Sequence, residues 1–190
     1  MKVLRLHWQT QDKLLLVVQD LYSWDRVQMK VSVCQLSPNY YNTTHPLVNA
    51  ITFTGETRTG EVIMRAASVG LRNISMECGG KNPALVFADC DLDKAIEGTM
   101  RSAFVNCGQV CLGTERVYVE RPIFDEFVAR LKAGVETLKL GRPEDEEANF
   151  GPLISLEHRD KVLSYYKLAE EEGATVIIGG GVPDMGSKLN

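Results

Sequence analysis

Residues 75–119 read SMECGGKNPALVFADCDLDKAIEGTMRSAFVNCGQVCLGTERVYV, with Glu77 beside the pair Gly79 and Gly80 near one end and Cys111 after Gly108 and Gln109 near the other. The apolar run from Pro83 to Phe87 predicts a strand. Asp91 is a good helix N-cap, and Leu92, Ala95, Ile96, Met100, Ala103 and Phe104 then recur at helical spacing as one buried stripe. Gly108 supplies the stop. Cys111 is thereby predicted to sit in a turn between an anchored helix and a strand over 116–119. Glu77 and Cys111 are 111 − 77 = 34 positions apart, so only a fold that returns the turn to the glycines brings them together. A thiol and a carboxylate joined in that way suit covalent catalysis, in which one attacks and the other activates water.

Working outward, residues 48–53 predict a strand that leaves through Thr54 and Gly55 into a helix over 57–67, with Val62, Ile63 and Ala66 on one side. The start of that helix offers unpaired N–H groups to an anion. A second short strand over 73–77 ends in the glycine pair, which permits close backbone approach to a ligand. A simple turn between two domains accounts for those glycines equally well. Beyond the cysteine come a helix over 123–138, a polar loop over 141–149, a helix over 156–172 and a strand over 175–178. Strands alternating with helices predict parallel α/β layers.

Three of these strings resemble motifs of the aldehyde dehydrogenase superfamily. MECGGKNP (76–83) is similar to its glutamate motif, FVNCGQVC (104–111) to its cysteine motif, and FTGETRTG (53–60) to its cofactor-binding turn. The wording from 53 to 184 most resembles the branch that oxidises hydroxymuconic and aminomuconic semialdehydes. The resemblance implies the end of a Rossmann-like NAD-binding domain over 45–77 and the first half of a catalytic α/β domain over 78–190. It implies Cys111 as the nucleophile and Glu77 as the base for a water. It implies Gly55, Glu56, Gly60 and Cys78 at the cofactor, which is NAD, with NADP not excluded. The substrate it implies is a small aldehyde, and full-length members are homo-oligomers. Glu56 stands where most of the superfamily carries a small hydroxyl residue, and the asparagine that supplies the family's second oxyanion donor has no match. Asn106 is not that residue.

Rival chemistries lack support. A zinc site needs a second pair of ligands near Cys107 and Cys111, and His158 is remote. A cysteine protease needs a histidine base, and His7, His45 and His158 have no supporting context. Cys34, Cys78, Cys90 and Cys107 read as ordinary buried thiols. The other class of function left open is a non-catalytic fragment or interaction module. The matched stretch is short of several family motifs, and the 190-residue chain taken alone is expected not to turn over aldehyde.

The net charge of −4 leaves no electrostatic footprint for nucleic acid or an anionic membrane. Leu14 to Val18 is the kind of apolar run that falls far short of the roughly 20 residues a bilayer span needs. Five cysteines, an odd number without disulfide-like spacing, fit a reducing compartment, so the expected location is cytoplasmic. Residues 1–44 differ from the rest: they hold no glycine, alanine or glutamate, although the chain has 16 glycines. Leu14 to Val18 and Val27 to Val33 read as strands there. The segment matches nothing in the family and is expected to pack poorly against the remainder, as a sequence joined onto it.

Overall fold

A computed structural model describes the backbone of residues 3–9 and 13–18, and residues 43–45 and 48–184 in full. The expected strand over 27–33 and Cys34 lie outside the described residues. The chain divides into two compact units, Ser23–Gly80 on one side and Met1–Tyr22 with Lys81–Asn190 on the other.

The smaller unit is a strand–helix–strand element. β3 (Ala50–Gly55) pairs in parallel with β4 (Asn73–Cys78), and α1 (Thr57–Ser68) crosses between them. Of the apolar residues in α1, Ile63 and Ala67 are buried and Ala66 partly so, whereas Val62 is exposed, against expectation. The buried stripe runs through Gly60, Ile63 and Ala67 at spacings of three and four, and Val62 falls about 100° away from it. Arg72 closes the unit by donating from Nε to the Val48 carbonyl at 2.8 Å and from Nη2 to the Thr44 carbonyl at 2.9 Å.

The larger unit contains a five-stranded sheet in the order β5-β6-β2-β1-β7. Its strands are β1 (Val3–Gln9), β2 (Lys13–Val18), β5 (Asn82–Val86), β6 (Thr114–Glu120) and β7 (Thr175–Gly179). β5 and β6 run parallel; β2 runs antiparallel to β6 and to β1, and β1 antiparallel to β7. The sheet is therefore mixed, not uniformly parallel. The expectation that the leading segment packs as an appendage fails for β1 and β2, which occupy inner positions of the sheet. The alternation of Leu4, Leu6 and Trp8 and the run Leu14 to Val18 supply what inner strands need, and Leu4, Leu6 and Trp8 register opposite Val18, Leu16 and Leu14.

α2 (Leu92–Phe104) and α3 (Phe124–Glu136) cover this sheet. Ala103 and Phe104 from α2, and Phe124, Phe127, Leu131 and Val135 from α3, bury against Val86, Val117, Val119 and Phe150. α4 (Leu156–Glu171) has a smaller cluster of its own, built on Val162 and Tyr166. Phe127 has no solvent exposure, so Phe127→Ala leaves a cavity that the surrounding β6 and α2 side chains cannot fill. The expected loss is about 3–5 kcal/mol, read as a shift of the urea midpoint at unchanged slope.

Asp91 caps α2 as expected, its side chain accepting from the Lys94 backbone N–H at 3.2 Å. That bond, followed by the Lys94 side chain, holds the Asp91 carboxyl below its usual value. A lowered folded value means that the cap stabilises fully above the ordinary value of 3.8 and fades as pH falls through the lowered one. The protein and its Asp91→Ala variant should therefore differ in melting temperature at neutral pH and converge in strong acid.

Candidate active site

The cysteine turn departs from the simplest reading of its sequence. α2 ends at Phe104, and the next residues do not continue it: Asn106 (φ 52°, ψ 39°) and Cys107 (φ 59°, ψ 27°) take left-handed conformations, followed by Gly108 at φ 71°. A left-handed non-glycine residue costs roughly 1–2 kcal/mol, and two in succession persist only where the surroundings hold them. Asn106 is held by its own side chain, which donates to the Gln109 carbonyl at 3.0 Å. Cys107 is held by the Gly151 N–H, which donates to its sulfur at 3.2 Å. Cys107 is thus not the ordinary buried thiol expected above; it fastens the turn to the loop leading into α4. The helix stop lies four residues before Gly108, because the asparagine tolerates the left-handed region and starts the reversal early.

Cys111 is exposed. It occupies a tight turn closed by the Gly113 N–H donating to the Val110 carbonyl at 2.8 Å. The base of the loop is pinched where the Ser102 and Thr114 hydroxyls meet at 2.6 Å and the Thr114 N–H donates to Ser102 Oγ at 3.1 Å. Gly113 is required here: an added Cβ would lie 3.0 Å from the Val110 carbonyl oxygen and 3.1 Å from that of Ser102. From the opposite side, the Asn82 carboxamide donates to the Cys111 carbonyl at 2.7 Å and the Gly113 carbonyl at 3.0 Å. Among the described residues the Cys111 N–H has no acceptor. The arrangement is an accessible thiol on a fixed backbone, with an N–H beside it that could meet a developing negative oxygen.

In the smaller unit, Glu77 is an exposed residue of β4, its backbone registered opposite Thr54. Glu77 and Cys111 belong to different units. Gly55 ends β3, and Glu56 (φ −73°, ψ 139°) is the N-cap of α1, its carboxylate accepting from the Thr59 N–H at 3.0 Å. The structure brings Gly60 and Cys78 together: an added Cβ at the buried Gly60 would lie 3.1 Å from the Cys78 sulfur, so α1 approaches β4 closely at this point. Gly55 is equally confined, with an added Cβ 2.7 Å from the Phe53 ring. Among the described residues no group of three or more His, Cys, Asp or Glu is placed to hold a metal, and no helix is long and apolar enough to cross a membrane.

Asn82 escaped the sequence reading although it lies inside the string MECGGKNP. The available signal was a polar residue opening an otherwise apolar strand, directly before a proline. Its partners are carbonyl groups 29 and 31 positions away, which no local pattern encodes.

Residues 41–189 match the sequence profile of the aldehyde dehydrogenase family. Among curated proteins, the chain is 72% identical over 153 residues to a 2-hydroxymuconic semialdehyde dehydrogenase of Pseudomonas sp. (strain CF600), covering 80% of this chain and 32% of that one. It is 56% identical over 144 residues to a 2-aminomuconic 6-semialdehyde dehydrogenase of Pseudomonas sp., covering 76% and 29%. Among solved structures it resembles a betaine aldehyde dehydrogenase double mutant from Staphylococcus aureus in complex with NAD+ (TM-score 0.75, 38% identity, 79% of this chain and 30% of that one). It also resembles HpcC from Thermus thermophilus (TM-score 0.73, 39% identity, 78% and 29%). The chain spans about a third of the length of the curated relatives it matches.

Proposed function

The chain belongs to the aldehyde dehydrogenase family, and from that premise we propose that the protein carrying it oxidises an aldehyde to the carboxylic acid with a nicotinamide cofactor. The observation that carries the reading is Cys111, an exposed thiol in a turn anchored at both ends, whose own N–H has no acceptor among the described residues. Resemblance over most of the chain to dehydrogenases favours this reading over an interaction module.

The Cys111 thiolate attacks the aldehyde carbon, forming a C–S bond and placing the carbonyl electron pair on oxygen, where the Cys111 N–H stabilises it. When bound, the oxidised nicotinamide supplies the acceptor for the hydride that leaves this carbon as the thioester forms. Glu77 then takes a proton from a water, whose oxygen attacks the thioester and releases the acid and the Cys111 thiolate. This role requires Glu77 to come within reach of one water from the acyl group.

Residues 45–77 are assigned to the cofactor-binding domain and 78–190 to the catalytic domain. The end of β3 and the start of α1 fit an anionic cofactor: β3 ends at Gly55, and a 12-residue helix starts two residues later with its first N–H groups, of which the Thr59 N–H is taken by Glu56. Gly60 and Cys78 set the aim of that helix start by packing α1 on β4. Glu56 occupies the Thr59 N–H and would stand beside the cofactor as a fixed negative charge. The cofactor proposed is NAD. A cytoplasmic location follows from the cysteine usage.

The substrate class proposed is a muconic-type semialdehyde, by similarity to the two semialdehyde dehydrogenases. The test, made on the protein carrying the chain, is formation of reduced cofactor with 2-hydroxymuconic semialdehyde, 2-aminomuconic semialdehyde and betaine aldehyde, each with NAD+ and NADP+. A kcat/KM for a muconic semialdehyde at least about tenfold above that for betaine aldehyde is expected. The reverse order would overturn the substrate class, and no turnover with any of them would overturn the function.

A further inference from the structure

We propose that Asn82 is a positioning residue for Cys111, aimed at the cysteine turn by a bulge in the sheet. This deepens the proposed function and rests on Cys111 being its nucleophile.

The pairing of β5 with β6 is irregular at one place: Asn82 registers with Thr114, but Pro83 registers with Arg116, so one step on β5 spans two on β6. The skipped residue is Glu115. Bulges re-aim the side chains beside them and recur next to active sites. Pro83 has no N–H to give the ladder and so tolerates the break. Asn82 is turned toward the carbonyls of Cys111 and Gly113 at 2.7 and 3.0 Å, and one carboxamide nitrogen thereby bridges both ends of the Cys111–Gly113 segment.

Asn82 is itself held in place. The Arg116 Nε donates to the Lys81 carbonyl at 2.9 Å. The Lys81 ammonium pairs with the carboxylate of Glu115, which is buried. The skipped residue Glu115 and its neighbour Arg116 thus hold Lys81, immediately before Asn82, by its side chain and its carbonyl. The consequence for chemistry is geometric. With the Cys111 carbonyl fixed, the turn cannot rotate, and the thiol and the neighbouring N–H keep one direction relative to an incoming carbonyl. Misplacement of reacting groups by about 1 Å costs on the order of 10²-fold in rate.

The test compares Asn82→Ala with Asn82→Asp, which keeps the shape and removes the donor. Amide hydrogen exchange in the 190-residue chain is expected to quicken at Gly113 by about five- to a hundredfold in both variants, the loss of two hydrogen bonds, while Val117 and Val119 in β6 stay unchanged. In aldehyde oxidation by the protein carrying the chain, kcat falls at least about tenfold and KM holds within about twofold. Unchanged exchange at Gly113 overturns the proposal. So does exchange that quickens equally at Val117 and Val119, since Asn82 would then support the strand and not the turn. Exchange requires no turnover: a loosened turn in a chain without aldehyde chemistry sinks the proposed function and leaves the positioning role standing.

Discussion

Replacing Cys111 by alanine is expected to lower kcat for aldehyde oxidation by about 10⁴- to 10⁶-fold, the cost of deleting a nucleophile whose partners act only through it. No other thiol among the described residues is arranged to substitute. The Cys107 sulfur accepts the Gly151 N–H at 3.2 Å and is half-buried. Cys78 faces Gly60 inside the strand–helix–strand unit, and Cys90 packs against the core cluster. The same substitution should leave the melting temperature within a degree or two, because an exposed side chain away from the core contributes within about 0.5 kcal/mol. That pairing of a large kinetic effect with a negligible thermal one separates a nucleophile from a structural thiol. Retention of more than about a hundredth of the parental kcat would move the covalent step off Cys111.

Much of this arrangement is legible in the sequence. Asp91 announced α2, the apolar stripe fixed its buried face, and the glycines on either side of Cys111 marked a turn, because each of these signals acts within a few residues of itself. What resisted reading depends on distant partners or on a choice between local conformers. Asn106 and Cys107 enter the left-handed region before Gly108 does, and only the Gly151 contact, 44 positions away, shows why Cys107 remains there. Asn82 lies just before the apolar run expected as a strand over Pro83 to Phe87, and only the irregular pairing opposite Glu115 shows it turned toward the cysteine. In the leading segment the strand expected over Leu14 to Val18 is present as β2, whereas β1 was not expected. The alternation of Leu4, Leu6 and Trp8 is the signal for β1, because alternation is what a sheet responds to. The antiparallel placement of β2 beside β6 also broke the parallel pattern that strand–helix alternation implies elsewhere.

Glu77→Gln is expected to separate the two halves of the reaction. The amide keeps the size of the carboxylate and the backbone pairing of β4 with β3, in which Glu77 stands opposite Thr54, so the fold should be undisturbed. It removes the only role assigned to the group, taking a proton from water, and loss of a general base costs about 10²- to 10⁴-fold. That loss should fall on thioester hydrolysis alone. Mixing the variant with aldehyde and oxidised cofactor should give a rapid burst of one equivalent of reduced cofactor per site, followed by a steady state slower by that factor. The acyl group should be found on the peptide containing Cys111. Acylation precedes the step that Glu77 serves, so the burst rate should stay near that of the parent. A variant that loses the burst as well would show Glu77 acting before the thioester, for example in deprotonating the thiol. A variant with an unchanged steady state would show that water is activated by another group, and the pairing of Glu77 with Cys111 across their separation of 34 positions would then have no part in the chemistry.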